Sequence, residues 1–208
     1  MPSTAFADRS KAGQLLAVEL ASLADRRPIV FGLPRCGVPV AYQVAQGLGA
    51  PLDVALVRTV RAADRRDELL ATVLEGDPPT IRIEPDRPVA RDLIADAVDE
   101  IEKRLQLYRG SSRPMSPAGR TVIVVDQAIT SGHAVAGAIE LLRQAGARSI
   151  VVAAPVAFDP GVARVAPLAE RVVALRRVPD VGPLEQHYAD WRQVTHDEAL
   201  GYLEKARE

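Results

Sequence analysis

Short apolar runs alternate with amphipathic stretches along most of the chain. The apolar runs that predict buried strands are 29–33, 52–57, 121–125, 149–155 and 171–175. Apolar residues at helical spacing predict helices over about 10–23, 39–48, 91–108 and 134–145. Strands that alternate with helices in this way are typical of an α/β fold, in which a mostly parallel central sheet is flanked by helices.

Length and composition favour one domain over residues 1–208, because 208 residues with 48% apolar content can bury a sizeable core. Within it, 1–27 holds an N-terminal helix, 58–90 a loop and two short strands around the turn 76–79, and 178–208 a C-terminal tail or hood.

The overall charge and the cysteine count exclude several function classes. A formal net charge of −1 argues against a general binder of nucleic acid or of anionic membranes. No apolar run approaches the roughly 20 residues of a membrane span, and the first residues lack the apolar core of a signal peptide. One cysteine permits neither an internal disulfide nor a cysteine metal cluster. We therefore expect a soluble cytoplasmic protein.

The stretch 119–146 has the clearest chemical character. A β-branched run at 121–125 is followed by a polar turn at 126–133 and then by the helix 134–145. A helix N-terminus presents free backbone N–H groups and the positive end of the helix dipole. This order of elements therefore places a polar turn at a position suited to an anion.

The residues of that turn divide into two chemical halves. Thr130, Ser131 and Gly132 supply two hydroxyls and one position with no side chain, which is the composition that a phosphate group requires. Asp126 would repel a bare phosphate and is better suited to hydroxyls, an amine or a metal. A sugar phosphate satisfies both halves, and the alternative is that Thr130 or Ser131 merely caps the helix.

A second strand, turn and helix unit lies earlier in the chain. The strand 29–33 is interrupted by Pro34, Arg35, Cys36 and Gly37, and Pro39 then opens a helix. Two such turns could grip a molecule that carries a phosphate at each end. Cys36 is either a reactive thiol near a helix N-terminus or a packed side chain, and the apolar context favours packing.

These segments resemble type I phosphoribosyltransferases. Residues 124–134, VVDQAITSGHA, are similar to that family's signature for PRPP (5-phosphoribosyl 1-diphosphate): an apolar strand, two adjacent acids and a Thr/Ser/Gly-rich phosphate loop. Asp126 matches the first acid, Gln127 replaces the second, and His133 stands where a small hydroxyl residue is most common. Residues 33–40, LPRCGVPV, resemble the pyrophosphate-side loop, with Cys36 in place of a more usual glycine.

The resemblance spans nearly the whole chain, including 185–194, and implies the family's fold and reaction. The reaction would be phosphoribosyl transfer from PRPP to a nitrogenous acceptor with release of pyrophosphate. The implied 5′-phosphate contacts are Thr130, Ser131, Gly132, His133 and Ala134. Asp126 would act on the ribose as a catalytic residue, with Gln127 and Ala128 as substrate-binding residues beside it. Arg35, Cys36 and Gly37 would meet the pyrophosphate. The implied cofactor is Mg²⁺ held through PRPP, with Asp126 beside it.

The family also has a mobile loop that carries basic residues to the pyrophosphate, and the matching region here is 58–68. Its arginines are Arg58, Arg61, Arg65 and Arg66. We assign a catalytic role to Arg58 and a substrate-binding role to Arg61, because guanidinium groups bind phosphate oxygens in paired geometry. Arg65 and Arg66 are mixed with acids and favour a solvated surface. Thr59 replaces a lysine that is common in similar proteins, which predicts weaker stabilisation of the leaving group.

Two classes of function remain open at this point. One is a phosphoribosyltransferase with altered efficiency or acceptor choice, and the other is a non-catalytic regulatory protein that binds PRPP or a nucleotide. A fold with no ligand in this pocket is a third alternative. An amide in place of the second carboxylate exchanges a charge-assisted bond of about 1.5–3 kcal/mol for a neutral one of about 0.5–1.5 kcal/mol. Catalysis would survive that loss, and a regulatory protein would tolerate it.

The remaining aromatic and histidine residues have open roles. A protonated His133 could add a charge-assisted bond to phosphate, and a solvent-facing ring is the alternative. Tyr188 or Trp191 could stack on an acceptor base, although closing one end of the fold is the favoured role. The resemblance allows a homodimer, since related proteins often pair.

Overall fold

A computed structural model describes residues 5–62, 68–110 and 113–208. Its strands are, in chain order, β1 (Ile29–Gly32), β2 (Leu52–Val54), β3 (Val57–Arg61), β4 (Leu69–Leu74), β5 (Thr80–Ile83), β6 (Thr121–Val125), β7 (Ala128–Ile129), β8 (Ser149–Phe158) and β9 (Arg171–Val178). Its helices are α1 (Arg9–Glu19), α2 (Gly37–Leu48), α3 (Arg91–Arg109), α4 (His133–Gln144), α5 (Asp159–Val165) and α6 (His196–Lys205).

The central sheet is parallel throughout its described length, in the order β2, β1, β6, β8, β9. Alternate residues of β6 face opposite sides, so Ile123 packs in the cluster with α1, α2 and α6, and Val124 in the cluster with α4 and α5. The predicted α/β class is confirmed. Buried positions on both faces explain why the strands read as continuous apolar runs.

The central strand is interrupted at the residues that were predicted to hold the sugar. β6 pairs with β8 up to Val125 opposite Ala153, and β7 resumes the same register with Ala128 opposite Val156. Asp126 and Gln127 occupy the gap. Pro155 lies across from this gap and has no N–H to donate, so the ladder cannot continue there.

A second, antiparallel sheet is formed by β3, β4 and β5. It packs between α3 and α4, where Gly137 leaves room for the side chains of Val57, Thr72 and Leu74. The predicted strand 52–57 is therefore two elements, and β3 extends through Arg58 and Arg61. These two arginines lie on a strand, which corrects the prediction of a mobile loop beginning at 58. Residues 63–67, with Arg65 and Arg66, lie outside the described residues.

The two ends of the chain meet beside the central sheet. The predicted N-terminal helix ends at Glu19 and is followed by a 3-10 helix, Ala21–Arg26. Phe6 pairs with Tyr188 as an isolated parallel bridge, and their rings lie 5.7 Å apart. Tyr188 is only 2% exposed, so it closes the fold as favoured and is not available to stack on a base. None of the helices in the described ranges has the length and apolarity to traverse a bilayer.

Candidate functional site

The two strand, turn and helix units meet at the carboxyl ends of β1 and β6. The Leu33 N–H donates to the Val125 carbonyl at 2.9 Å, which fixes the start of the first turn against the end of β6. A Cβ on Gly37 would lie 3.0 Å from both Cα and Oδ1 of Asp126. Glycine therefore permits a backbone approach that a side chain would obstruct. Two turns therefore form one site: the turn that carries Arg35, Cys36 and Gly37, and the turn that carries Asp126.

The N-terminus of α4 is capped by Gly132 at φ 78°, and no side chain bonds to it. The alternative that Thr130 or Ser131 merely caps this helix is therefore wrong. Glycine is required here because of the positive φ and because a Cβ would lie 2.8 Å from the Gly161 carbonyl oxygen. The first-turn N–H groups of α4, at His133 and Ala134 among others, are thus left without a side-chain acceptor.

The loop between β7 and α4, which carries Thr130 and Ser131, packs against helix α5. A Cβ on Gly161 would lie 2.1 Å from the Thr130 carbonyl oxygen, so the loop backbone rests directly on α5 at that point. The sequence pattern gave no reason to single out Gly161, because glycines at the start of a helix are common in proteins of every function.

The two arginines of β3 point to different partners. Arg61 donates from Nη2 to Ser131 Oγ at 3.1 Å, so it reaches the predicted 5′-phosphate loop, whereas the resemblance directed it to the pyrophosphate. Arg58 instead makes an ion pair with Glu100 of α3, with 2.5 Å between Nε and Oε2. The structure therefore brings Arg61 to the site and directs Arg58 toward α3.

His133 is the first residue of α4 and is partly buried. Its pKa is lowered to about 4, by burial first and then by Arg164 and Arg61. The ring is therefore uncharged at neutral pH. A charge-assisted bond from His133 to phosphate would require protonation of this ring and stays a prediction.

Asp126 is the acid at the gap between β6 and β7. Its Oδ1 accepts a hydrogen bond from the Gln127 N–H at 2.7 Å. Burial raises its pKa to about 7, and that increase is opposed by the Gln127 N–H and by the charge of Arg9. Protonated and ionised forms are therefore both populated near neutral pH.

Gln127 is held by two residues that sequence reasoning did not connect to the site. Its side-chain Oε1 accepts from Arg9 Nε at 2.7 Å, and its backbone carbonyl accepts from the Tyr188 hydroxyl at 2.6 Å. Arg9 lies 118 positions earlier in the chain, and a lone arginine at a helix start carries no local signal of such a contact.

The remaining predicted residues lie around this turn. Ala128 is buried at the start of β7, and Ala134 is partly buried in the first turn of α4. Cys36 is partly buried against the core, in keeping with a packed role, and Arg35 is exposed. Within the described ranges, no group of three or more His, Cys, Asp or Glu residues could hold a metal ion. A cation at this turn would therefore depend on oxygens supplied by a ligand, beside Asp126.

Comparison with known proteins decides the family. The family model for the phosphoribosyl transferase domain matches residues 9–175. The chain belongs to the phosphoribosyl transferase family. A protein provisionally named a phosphoribosyl transferase occurs in two Mycobacterium tuberculosis strains, CDC 1551 and H37Rv. It is 33% identical over 207 residues, which cover 97% of this chain and 47% of the relative. The chain thus spans about half the length of the curated relatives it matches.

Solved structures place this phosphoribosyl transferase domain among type I folds. The crystal structure of TT1426 from Thermus thermophilus is 35% identical, covers 97% of this chain and 99% of that one, and has a TM-score of 0.80. The purine phosphoribosyltransferase of Pyrococcus horikoshii Ot3 shares the fold alone, at 18% identity and a TM-score of 0.50, with 89% and 90% of the chains covered.

Proposed function

We propose that this domain transfers a phosphoribosyl group from PRPP to a nitrogenous acceptor and releases pyrophosphate. The observation that carries the proposal is the contact between Gly37 and Asp126, which puts two phosphate-type turns on either side of one carboxyl group. PRPP has the matching shape, with a phosphate at one end, a diphosphate at the other and sugar hydroxyls between them.

The phosphate end of PRPP fits the α4 turn. No side chain caps the N–H groups at the start of α4, so they are suitable donors to a phosphate. The hydroxyls of Thr130 and Ser131 are suitable donors as well. Arg61 adds a positive charge beside Ser131. Asp126 would then accept from the ribose hydroxyls, and Gln127 lies next to it.

The diphosphate end fits the turn that carries Arg35. Arg35 is exposed in this turn, so its guanidinium group is suited to bind the oxygens of a departing pyrophosphate.

The reaction requires little covalent help from the protein. The bond between the anomeric carbon and the diphosphate oxygen breaks, the electron pair leaves with pyrophosphate, and the acceptor nitrogen forms the new bond to carbon. Asp126 in its ionised form stabilises the positive charge that develops on the sugar. Mg²⁺ would be held by diphosphate and hydroxyl oxygens beside Asp126 and would supply charge neutralisation. Asp126 is the one carboxyl group within residues 126–133, which fits an ion held mainly by its substrate.

A regulatory PRPP-binding or nucleotide-binding protein is the second candidate. The observation that favours it is the engagement of the Gln127 oxygen by Arg9, which removes an acceptor that the family signature would supply as an acid. The pKa of Asp126 near 7 also leaves part of the population uncharged at neutral pH.

Pyrophosphate release from PRPP with Mg²⁺ and a panel of bases and amines separates the two candidates. A transferase releases pyrophosphate only when a suitable acceptor is present, and Ser131→Tyr abolishes both release and binding by filling the loop. Arg26→Met, at an exposed ion pair with Glu170, is the matched control and should change neither. Saturable PRPP binding with no turnover, even in Gln127→Asp combined with Thr59→Lys, would favour the regulatory protein. An absence of binding would contradict both.

A further inference from the structure

The carboxamide of Gln127 is held in one orientation by a buried guanidinium group. Arg9 is only 5% exposed, and its Nε donates to Gln127 Oε1 at 2.7 Å. A guanidinium group has donors only, so the atom of Gln127 that faces it must be the oxygen. The carboxamide nitrogen, Nε2, therefore points away from Arg9.

Arg9 itself has little freedom to move. Its Nη1 donates to the Arg192 carbonyl at 2.9 Å, and its guanidinium carbon lies 4.7 Å from the ring centre of Trp191 and 5.6 Å from that of Tyr188. Its Nη2 is buried and has no hydrogen-bond partner among the described residues. If Gln127 turned over, Nε of Arg9 would become a second donor without an acceptor, which disfavours that orientation.

The nitrogen of Gln127 is available for a ligand. None of the hydrogen bonds among the described residues engages Nε2, and the atom is not among the buried unsatisfied ones. Tyr188 holds the backbone of the same residue, so both ends of Gln127 are fixed. The second position of the turn therefore presents two N–H donors, whereas a carboxylate there would present acceptors only.

We propose that Arg9 is a positioning residue that turns the amide of Gln127 toward the sugar as a donor, so that this position recognises a sugar oxygen as an acceptor. The inference rests on the proposed binding of a phosphorylated pentose at this turn. It assigns a substrate class, namely pentose 5-phosphates. The sugar oxygen opposite Gln127 has to accept a hydrogen bond and does not have to carry a hydroxyl proton. A carboxylate at position 127 would instead require a free hydroxyl.

The test compares ribose 5-phosphate with its 2-O-methyl and 3-O-methyl ethers by isothermal titration calorimetry. The ethers keep an acceptor oxygen and lose the hydroxyl donor. We expect the wild-type protein to bind one of the two ethers within about threefold of ribose 5-phosphate. In Gln127→Glu the same ether should bind about tenfold or more weakly than ribose 5-phosphate, because the carboxylate is left without a donor.

Variants of Arg9 test the positioning role. Arg9→Met should move the Gln127 side-chain amide signals in ¹⁵N NMR spectra of the protein without ligand. It should also weaken ether binding, because the carboxamide can then present either end. Arg9→Lys keeps a donor and should restore the wild-type preference at least in part. Arg26→Met should leave the Gln127 signals and the ether preference unchanged.

The outcomes separate this inference from the proposed function. Binding of ribose 5-phosphate with the same loss for both ethers in wild type and in Gln127→Glu would overturn the donor assignment and leave the proposed function standing. Unchanged Gln127 amide signals in Arg9→Met would overturn the positioning role. Binding of PRPP with Mg²⁺ but not of ribose 5-phosphate would overturn this inference alone. If the wild-type protein binds neither, the proposed function and this inference both fail.

Discussion

At the scale of single residues, the charge of the site depends on how burial changes the pKa of the Asp126 carboxyl group. Asp126 is partly shielded from water, and burial raises its pKa from 3.8 to about 7. The folded protein therefore holds this proton more tightly than the unfolded chain does. It follows that the residue stabilises the fold most below about pH 4, and that this contribution is lost as the pH rises to about 7.

Replacing Asp126 by asparagine should remove that pH dependence. The difference between 3.8 and about 7 corresponds to at most about 4 kcal/mol, and partial exposure to solvent reduces the expected effect to about 1–3 kcal/mol. Relative to wild type, Asp126→Asn should gain stability between pH 4 and pH 8. Urea unfolding at several pH values measures this, with the exposed Asp25→Asn as control. Parallel curves for wild type and Asp126→Asn would contradict it.

The His133 ring should report the arrival of a phosphate at the same turn. Its pKa is lowered to about 4 by burial, Arg164 and Arg61, and an anion bound at the start of α4 would offset the two arginines. Ribose 5-phosphate should therefore raise the pKa of His133 by about one unit or more. Titration of the ring protons by NMR, with and without the sugar phosphate, measures it. His187 provides the internal control, and an equal shift in both rings would argue against a local effect.

At the scale of elements, two glycines set the position of the loop between β7 and α4. Gly132 ends the loop with a positive φ, and Gly161 lets α5 contact its backbone. The loop is therefore positioned by backbone packing, which leaves the hydroxyls of Thr130 and Ser131 unused by the helix cap.

Gly161→Ala should displace this loop. The new Cβ would lie 2.1 Å from the Thr130 carbonyl oxygen, which is backbone and cannot rotate away. We expect a loss of about 1–3 kcal/mol in unfolding free energy, together with weaker binding of ribose 5-phosphate. Gly201→Ala is a matched control in α6, because a Cβ there has no atom within 4 Å. That control should be neutral or stabilise by up to about 1 kcal/mol. Equal stability of the two variants in chemical denaturation would contradict the packing argument.

At the scale of the whole molecule, a buried ionic cluster joins the small sheet to the central one. Arg109 of α3 bonds to Asp53 of β2 at 2.7 Å and to Glu75, just after β4, at 2.9 Å. Burial raises the pKa of Glu75, and Arg109 partly offsets that increase. The cluster fixes the antiparallel sheet, and with it Arg61, relative to the turn at Asp126.

Arg109→Met should destabilise the protein by about 3–5 kcal/mol, because it leaves two buried carboxylates without their cation. Arg104→Met on the same helix removes an ion pair with Glu100 that is partly open to water, and should cost less than about 1 kcal/mol. Guanidinium denaturation monitored by circular dichroism compares the two. A similar cost for both variants would show that the Arg109 cluster is not a connection between the sheets.

Local sequence was sufficient for the parallel sheet and for the two turns that carry Arg35 and Asp126, and the roles of Asp126, Thr130 and Ser131 stay predictions. Each of these depends on neighbours within a few positions, since strand burial leaves an apolar run and a turn leaves polar and glycine residues. Tertiary structure alone decided that Arg9 binds Gln127, that Gly161 supports Thr130, and that Arg61 rather than Arg58 reaches the loop. Those contacts join residues far apart in the chain, so they leave no signature in local sequence. The pKa values of Asp126 and His133 depend on burial, which local sequence does not show either.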